Sequence, residues 1–365
     1  MSPDAEKPMR KLKGLILAGG KGTRLRPITH TSAKQLVPVA NEPVLFYGIR
    51  AIREAGIEEI GIVVGDTAAE IKEAVGDGSA FGVKVEYIHQ SAPLGLAHAV
   101  LESRDYLGDT AFVMYLGDNL ILRGIHELVN EFRSGDADAQ IMLAAVPNPS
   151  SFGVAYLDET GRVTKLEEKP PEPMSNLALV GVYMFDQPIW EAVRSIKPSQ
   201  RGELEITDAI QWLVDAGKKV QSHMVTGWWK DTGKLEDMLE ANRMVLDTFE
   251  TKIEGEVQGS NVEFKVVIQP GARIIDSTVR GPAIIGANTV IENSYVGPFT
   301  SIYHDCHIRN CEIEHSIVLE SSRLHDLRDR ICDSLIGRDV TVAPSELKPR
   351  AIRLMLGDSS DVRLF

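Results

Sequence analysis

The chain has 365 residues, a length suited to two domains, and its 43% apolar and 25% charged residues exclude a mainly disordered, collagen-like or membrane-spanning protein. Its 39 Lys and Arg against 52 Asp and Glu give a formal charge of −13. That excess opposes nucleic acid and anionic membranes as partners, but not a small anion held by a local cluster of cations.

Near the N-terminus, Leu15-Ile16-Leu17-Ala18 lies between Gly14 and Gly19-Gly20. The run is too short for a signal-peptide core and reads as the first buried strand. From residue 12 to about 226, short apolar runs alternate with amphipathic stretches. Strands are predicted at 14–18, 60–64, 83–88, 111–116 and 141–146, and helices at 43–55, 67–75, 96–107 and 125–133. Gly56, Gly76 and Gly108 follow three of the helices directly, the usual helix stop. The alternation predicts an α/β domain with a mainly parallel sheet, whose ligands sit beyond the carboxyl ends of the strands.

Several motifs fall at such ends. After the first strand comes Gly19-Gly20-Lys21-Gly22-Thr23-Arg24-Leu25. Three glycines let the backbone approach a polyphosphate, and Lys21, Arg24 and Arg26 supply the opposing charge. The loop lacks the Gly-Lys-[Ser/Thr] ending of the P-loop, and Leu25 stands where the dinucleotide fingerprint has its third glycine. A flexible Gly-rich turn is the plainer alternative. Lys34, in Ser32-Ala33-Lys34-Gln35-Leu36-Val37-Pro38, reads either as an exposed lysine or as a phosphate contact close to that loop. Asp118, in Leu116-Gly117-Asp118-Asn119, follows a buried strand and suits either a turn or a Mg²⁺ ligand. Glu167-Glu168-Lys169 reads equally as a solvated face. Trp228-Trp229 beside Asp231-Thr232-Gly233 suggests a fixed pocket wall, and Asp231 could complete a metal site with Asp118. The carboxylates of Arg201-Gly202-Glu203-Leu204-Glu205-Ile206-Thr207-Asp208 also fit the first turn of a helix. No Gly-x-Ser-x-Gly elbow is present to support hydrolase chemistry.

From about residue 261 the pattern changes. Ile-x-[Asp/Asn]-[Ser/Cys]-x-[Val/Ile] occurs at 274–279, 291–296 and 308–313, at intervals of 17, with a looser copy at 331–336. Ile268, Ile285, Ile302 and Leu319 form one apolar column, and Val262, Val279, Val296 and Ile313 another. Short strands wound into about four to five stacked coils produce such columns. His304, Cys306, His307, Cys311 and His315 invite a zinc reading, but Cys306 follows Thr289 and Ala272 in its column and Cys311 follows Ser294 and Ser277. Both are expected as small structural side chains. Three cysteines make no disulfide framework, and a reducing cytoplasm is expected.

In this order and spacing, segments 19–25, 34–38, 117–119, 167–170, 201–208 and 229–233 resemble the sugar-phosphate nucleotidylyltransferases over about residues 12–245. With its C-terminal coil the chain is similar to the long-form glucose-1-phosphate thymidylyltransferases, associated with deoxysugar pathways of antibiotic producers. The resemblance implies a Rossmann-like nucleotidyltransferase domain at 1–250 and a left-handed parallel β-helix with a C-terminal tail at 251–365. It implies dTTP and glucose 1-phosphate as substrates, Mg²⁺ as cofactor and no nucleic acid or membrane partner. The flat faces of the coil suit a homo-oligomer.

By the same resemblance, Leu17, Gly19, Gly20, Gly22, Thr23, Arg24, Gln90, Pro93, Gly95 and Asp118 would bind the nucleotide, Gln90 and Gly95 reading the pyrimidine. Asn119, Gly153, Glu168, Lys169 and Tyr183 would bind the sugar phosphate. Arg24, Lys34, Asp118 and Lys169 would be the catalytic set, and Asp118 with Asp231 would hold the metal. Leu94 stands where the short relatives carry Asp, and Lys230 where they tend to be apolar. Both flank the base and metal regions, so the choice of dTTP over UTP is less fixed than the reaction. Competing readings are a uridylyl or other sugar-1-phosphate enzyme, a bifunctional protein whose coil transfers acyl groups with His304 or His307 as base, and an inactive regulatory subunit.

Overall fold

The computed structural model describes residues 9–20, 22–30, 33–121, 124–345 and 359–363. The chain separates into two compact units, one of residues 1–21, 33–36 and 44–231, the other of 22–32, 37–43 and 232–365.

The first unit is built on β1 (Leu12–Leu17), β2 (Glu59–Val64), β3 (Lys84–His89), β4 (Ala111–Leu116), β5 (Asn119–Ile121), β6 (Ala139–Ala145), β7 (Gly153–Leu157), β8 (Val163–Glu168), β9 (Leu177–Phe185), β10 (Val220–Met224) and β11 (Trp229–Asp231). Nine of them form one sheet in the order β8-β7-β9-β4-β1-β2-β3, with β6 also on β9 and β10 on β6. The strands from β4 to β3 run parallel, as the alternation with helices predicts. β9 runs antiparallel to β4, β6 and β7. Strands β7 to β10 lie outside the predicted set.

Apart from Lys13 in β1 and Glu59 in β2, near their starts, the central strands are apolar because both faces are covered. Leu15, Leu17, Phe112 and Met114 point into a layer with Tyr183, Phe185 and Ile210. Ile16, Val113 and Tyr115 point into the other, with Leu45, Ile49 and Ile52 of helix α1 (Val44–Glu54). Gly14 permits that contact, since a Cβ there would stand 2.9 Å from Ile52 Cγ2. The predicted helix at 96–107 is two helices, α2 (Leu96–Glu102) and α3 (Arg104–Leu107). Between them Ser103 is fully buried and its hydroxyl donates to the Ala99 carbonyl at 2.7 Å, a back-bond that bends helices. Among the described residues no helix is long and apolar enough to cross a membrane.

The second unit is a left-handed parallel β-helix, with six rungs in two of its three sheets and four in the third. The registers Val262↔Val279↔Val296↔Ile313 and Ile268↔Ile285↔Ile302 reproduce the columns read from the sequence. Two readings need correction. Ile302 pairs with Val318, not Leu319, because the corner between Ile313 and Val318 is one residue shorter than that between Val296 and Ile302. The copy at 331–336 stands at a different corner: Ile331 bridges Ile313 and Ile336 pairs with Val318.

Each motif position has a physical cause. Asp276, Asn293 and Asn310 turn the corner with φ of 47, 44 and 51°, a left-handed conformation that Asn and Asp tolerate best after Gly. The next position is a ladder: Cys311 N–H donates to Ser294 Oγ at 3.1 Å, and Ser294 N–H to Ser277 Oγ at 3.0 Å. Each of those hydroxyls donates to the carbonyl two residues earlier, as does the Cys311 thiol, at 3.1 Å. Cys306 N–H donates to Thr289 Oγ1 at 3.1 Å in the same way, and burial pushes its thiol up to about 11. A helix, Leu235–Leu246, is clamped to this unit by Asn242. The Asn242 amide accepts from Ala40 N–H at 2.8 Å and donates to the Phe299 carbonyl at 3.1 Å.

Candidate functional site

At the carboxyl ends of β1, β2 and β4 the backbone is closely packed around glycines. Ala18 N–H donates to the Val63 carbonyl at 2.8 Å, and Gly117 N–H to the Leu17 carbonyl at 3.0 Å. A Cβ on Gly19 would stand 3.1 Å from Gln90 Oε1, and one on Gly65 3.1 Å from the Gly19 carbonyl. Leu17 is buried beneath this crest. Farther along the loop Gly22 has φ 62° and Thr23–Leu25 make one 3₁₀ turn, with the Thr29 hydroxyl donating to the Gly22 carbonyl at 2.6 Å. These residues and exposed Arg24 belong to the second unit. Lys21 lies outside the described residues.

Asp118 sits in the turn after β4, beside Lys34, with which it forms an ion pair; their side chains are 18% and 10% exposed. Burial raises the carboxyl's affinity for its proton, but the Lys34 charge and hydrogen bond, with that of Asn119, hold it below the usual carboxylate range. Asn119 is buried and its amide is committed at both ends. Nδ2 donates to Asp118 Oδ1 at 3.0 Å, while Oδ1 accepts from Trp229 Nε1 at 2.6 Å and from Gly181 N–H at 3.2 Å. Trp229 packs edge-on against Phe152 at 5.4 Å. Because β11 pairs antiparallel with β5, Asp231 stands across the ladder from Asn119, the residue after Asp118. Two carboxylates, one of them held ionised, are the donor set that a hard divalent cation takes together with phosphate oxygens.

Gln35 was not singled out by the sequence. It is buried between two glycines of the crest, its Nε2 3.7 Å from a Cβ built on Gly20 and its Cγ 3.4 Å from one on Gly117. Among the described residues its carbonyl oxygen has no hydrogen-bond partner. The only available signal was its place beside Lys34.

Next to β3, the Gln90 amide donates to the Gly95 carbonyl at 3.2 Å. Gly95 has φ 105°, and a Cβ there would strike the Leu204 carbonyl oxygen at 2.4 Å, so only glycine fits. Leu204 is bonded to both sides of it, donating to the Leu94 carbonyl at 2.7 Å and accepting from Ala97 N–H at 3.1 Å. Pro93 and Leu94 are exposed at the rim.

Glu168 ends β8. Thr207 Oγ1 donates to its Oε2 at 2.7 Å, and Lys169 Nζ lies 3.1 Å and Arg201 Nη1 3.5 Å from its Oε1. Gly153 borders the same carboxylate, since a Cβ there would stand 3.2 Å from Glu168 Oε2. Lys169 adopts φ 45°, and its N–H donates to the Phe152 carbonyl at 3.0 Å. Tyr183 is buried; desolvation raises its phenol, and the charges of Glu168 and Asp118 raise it further. Segment 201–208 does open a helix, Ile206–Asp215, yet it also carries Arg201 and Thr207 to Glu168. The first unit thus gathers Leu17, Gly19, Gly20, Lys34, Asp118, Asn119 and Asp231 at the crest, Gln90 with Gly95 on one flank, and Gly153, Glu168 and Lys169 around one carboxylate.

Residues 13–248 match the family model described as nucleotidyl transferase. The chain is 58% identical to a glucose-1-phosphate thymidylyltransferase of Streptomyces griseus over 97% of its own length and 99% of the relative's. It is likewise 58% identical to one of Streptomyces antibioticus over 97% and 99%. A solved structure from Bacillus anthracis, assigned as a glucose-1-phosphate thymidylyltransferase, superposes with a TM-score of 0.62 at 34% identity, covering 66% of this chain and 98% of that one.

Proposed function

The chain belongs to the nucleotidyl transferase family, and from that membership and the layout of its first unit we propose that it joins dTTP and glucose 1-phosphate into dTDP-glucose, releasing pyrophosphate. The observation that carries the chemistry is Asp118: a carboxylate at the end of a central parallel strand, held ionised by Lys34 and oriented by Asn119, with Asp231 across the ladder. The substrate pair is supported by the full-length identity to thymidylyltransferases.

In this reading a phosphate oxygen of glucose 1-phosphate attacks the α-phosphorus of dTTP in line. The new P–O bond forms as the bond to the β-phosphate breaks, and the electron pair leaves with pyrophosphate. No covalent enzyme intermediate is needed. Gln90, Pro93 and Gly95 take the base, and Leu17, Gly19, Gly20, Gly22, Thr23 and Arg24 the sugar and phosphates of the nucleotide. Gly153, Glu168 and Tyr183 bind the hexose, Glu168 accepting from its hydroxyls. Arg24, Lys34 and Lys169 offset the charge that gathers on the phosphates, and fixed placement of both substrates supplies much of the rest. Asp118 and Asp231 would hold Mg²⁺, which supplies charge neutralisation at the phosphates when bound. Asn119 serves through Asp118, since its own amide oxygen is occupied by Trp229 and Gly181.

Pyrophosphate release across dTTP, UTP, dCTP and ATP, each with glucose, galactose and N-acetylglucosamine 1-phosphates, tests the assignment. The highest kcat/KM is expected for dTTP with glucose 1-phosphate. A purine nucleotide or another sugar phosphate in first place would replace the substrate pair. Asp118→Ala, checked for folding by circular dichroism, is expected to lose about 10³-fold in turnover, and near-normal turnover would remove Asp118 from the machinery.

A further inference from the structure

The amide of Gln90 has only one chemically sensible orientation. The Gly95 carbonyl, 3.2 Å away, can only accept, so the atom facing it is the amide nitrogen. That same nitrogen lies 3.2 Å from His98 Nδ1. Having given one N–H to Gly95, it offers the second to His98, whose Nδ1 must accept. The imidazole proton therefore sits on Nε2, 3.3 Å from Glu102 Oε1. Glu102 Oε1 is held in turn by the Ser91 hydroxyl at 2.6 Å. Both amide protons are spent inside the protein. The carbonyl oxygen of Gln90 is left facing Gly19, at 3.1 Å from the point where a Cβ of that residue would lie.

We propose that His98, fixed in one tautomer by Glu102, is a positioning residue for base selection: it locks Gln90 to present an acceptor and so selects a pyrimidine with an imide N–H. The proposal rests on the reading that Gln90 takes the base. Thymine and uracil carry a donor at N3, flanked by carbonyls, and meet that oxygen as a hydrogen bond. Cytosine carries a lone pair at N3 and meets it as two acceptors, a mismatch that a locked amide cannot relieve by turning over. His98 and Glu102 stand at i and i+4 on α2, so the relay is built on a rigid element.

The test uses the full-length enzyme with His98→Leu, which removes the acceptor, and His98→Gln, whose amide oxygen can accept the same N–H. Steady-state kinetics are measured with dTTP, UTP and dCTP. His98→Leu is expected to raise the KM for dTTP and UTP about tenfold and to cut the preference for dTTP over dCTP about tenfold. The KM for glucose 1-phosphate should stay within about twofold, and His98→Gln should recover most of the loss. Folded His98→Leu with unchanged nucleotide KM and unchanged dCTP discrimination would overturn the proposal. So would a parallel rise in both substrates' KM with no recovery in His98→Gln, which marks a packing role only. Gln90→Ala separates the two levels. If it leaves the KM for dTTP unchanged, base reading by Gln90 itself fails; if it raises that KM while His98→Leu does not, only the positioning role fails.

Discussion

Lys34 and Asp118 illustrate how far a single residue can be read. Each has an ordinary surface explanation in the sequence, and the structure instead pairs them in a largely buried setting. The pairing also fixes a pH dependence. The Asp118 carboxyl is held below its unfolded value, so its contribution to stability is present above the ordinary Asp range, near pH 4, and is lost as pH falls through the folded value. In Lys34→Met the opposing charge is gone and burial alone acts, which reverses the sign: the ionised carboxylate destabilises the fold at neutral pH, and acidification relieves it. We expect a loss of roughly 3–5 kcal/mol at pH 7, shrinking towards pH 4 and largely repaired by adding Asp118→Asn. Denaturant melts at the two pH values measure it, and a loss independent of pH would contradict the account. Gln35 marks the other limit of legibility. Nothing in a lone Gln says that it lies buried under a glycine loop with a carbonyl oxygen that no described residue meets; that depends on β1 and β4 being neighbours.

At the scale of elements, periodicity was informative where the chain repeats and silent where it does not. The parallel strands β1 to β4 and the helices between them could be read because apolar runs, polar stretches and glycine stops recur in order. β9 is a nine-residue strand, buried along most of its length, with neither alternation nor a turn to separate it from a buried helix. In the coil the seventeen-residue step gives the columns as far as Ile313, and the spacing changes beyond it. There one corner is a residue short, and the corner between Leu324 and Ile331 is two residues longer than that between Ile308 and Ile313. The Ser277–Ser294–Cys311 ladder makes a testable statement about this element. Ser294→Ala leaves the Cys311 N–H without its acceptor and should cost about 1–2 kcal/mol. Ser294→Cys should cost less, because Cys311 already fills the equivalent place with a thiol. Urea unfolding of the two variants decides it; equal losses would mean that volume, not the hydrogen bond, governs the column.

For the whole molecule, the charge of −13 excludes little by itself. The cations that matter, Arg24, Lys34 and Lys169, belong to the motifs proposed to meet phosphate, so an acidic chain can still serve a nucleotide. The coil in turn supports our proposal that the chain self-associates, since regular rungs present flat faces to one another. Sedimentation equilibrium is expected to give a mass at least about twice the 40.1 kDa of one chain, and a monomer at micromolar concentration would sink that proposal. The cytoplasmic placement we also propose agrees with three unbridged cysteines, and oxidation to a disulfide-linked form on isolation would count against it.

The rungs of the coil are added along one axis at about 4.8 Å each, so its length changes in whole steps. Removing a complete rung such as residues 276–292, which leaves the Phe299 carbonyl in place for Asn242, would return every inward aliphatic to a partner of its own kind, since Ile274 would come to rest under Ile308 and Ile268 under Ile302. An insertion of one or two residues is absorbed only at a corner, as happens between Leu324 and Ile331. Variation in such a protein is therefore channelled into two forms: corners that bulge, and a coil that lengthens or shortens by whole rungs.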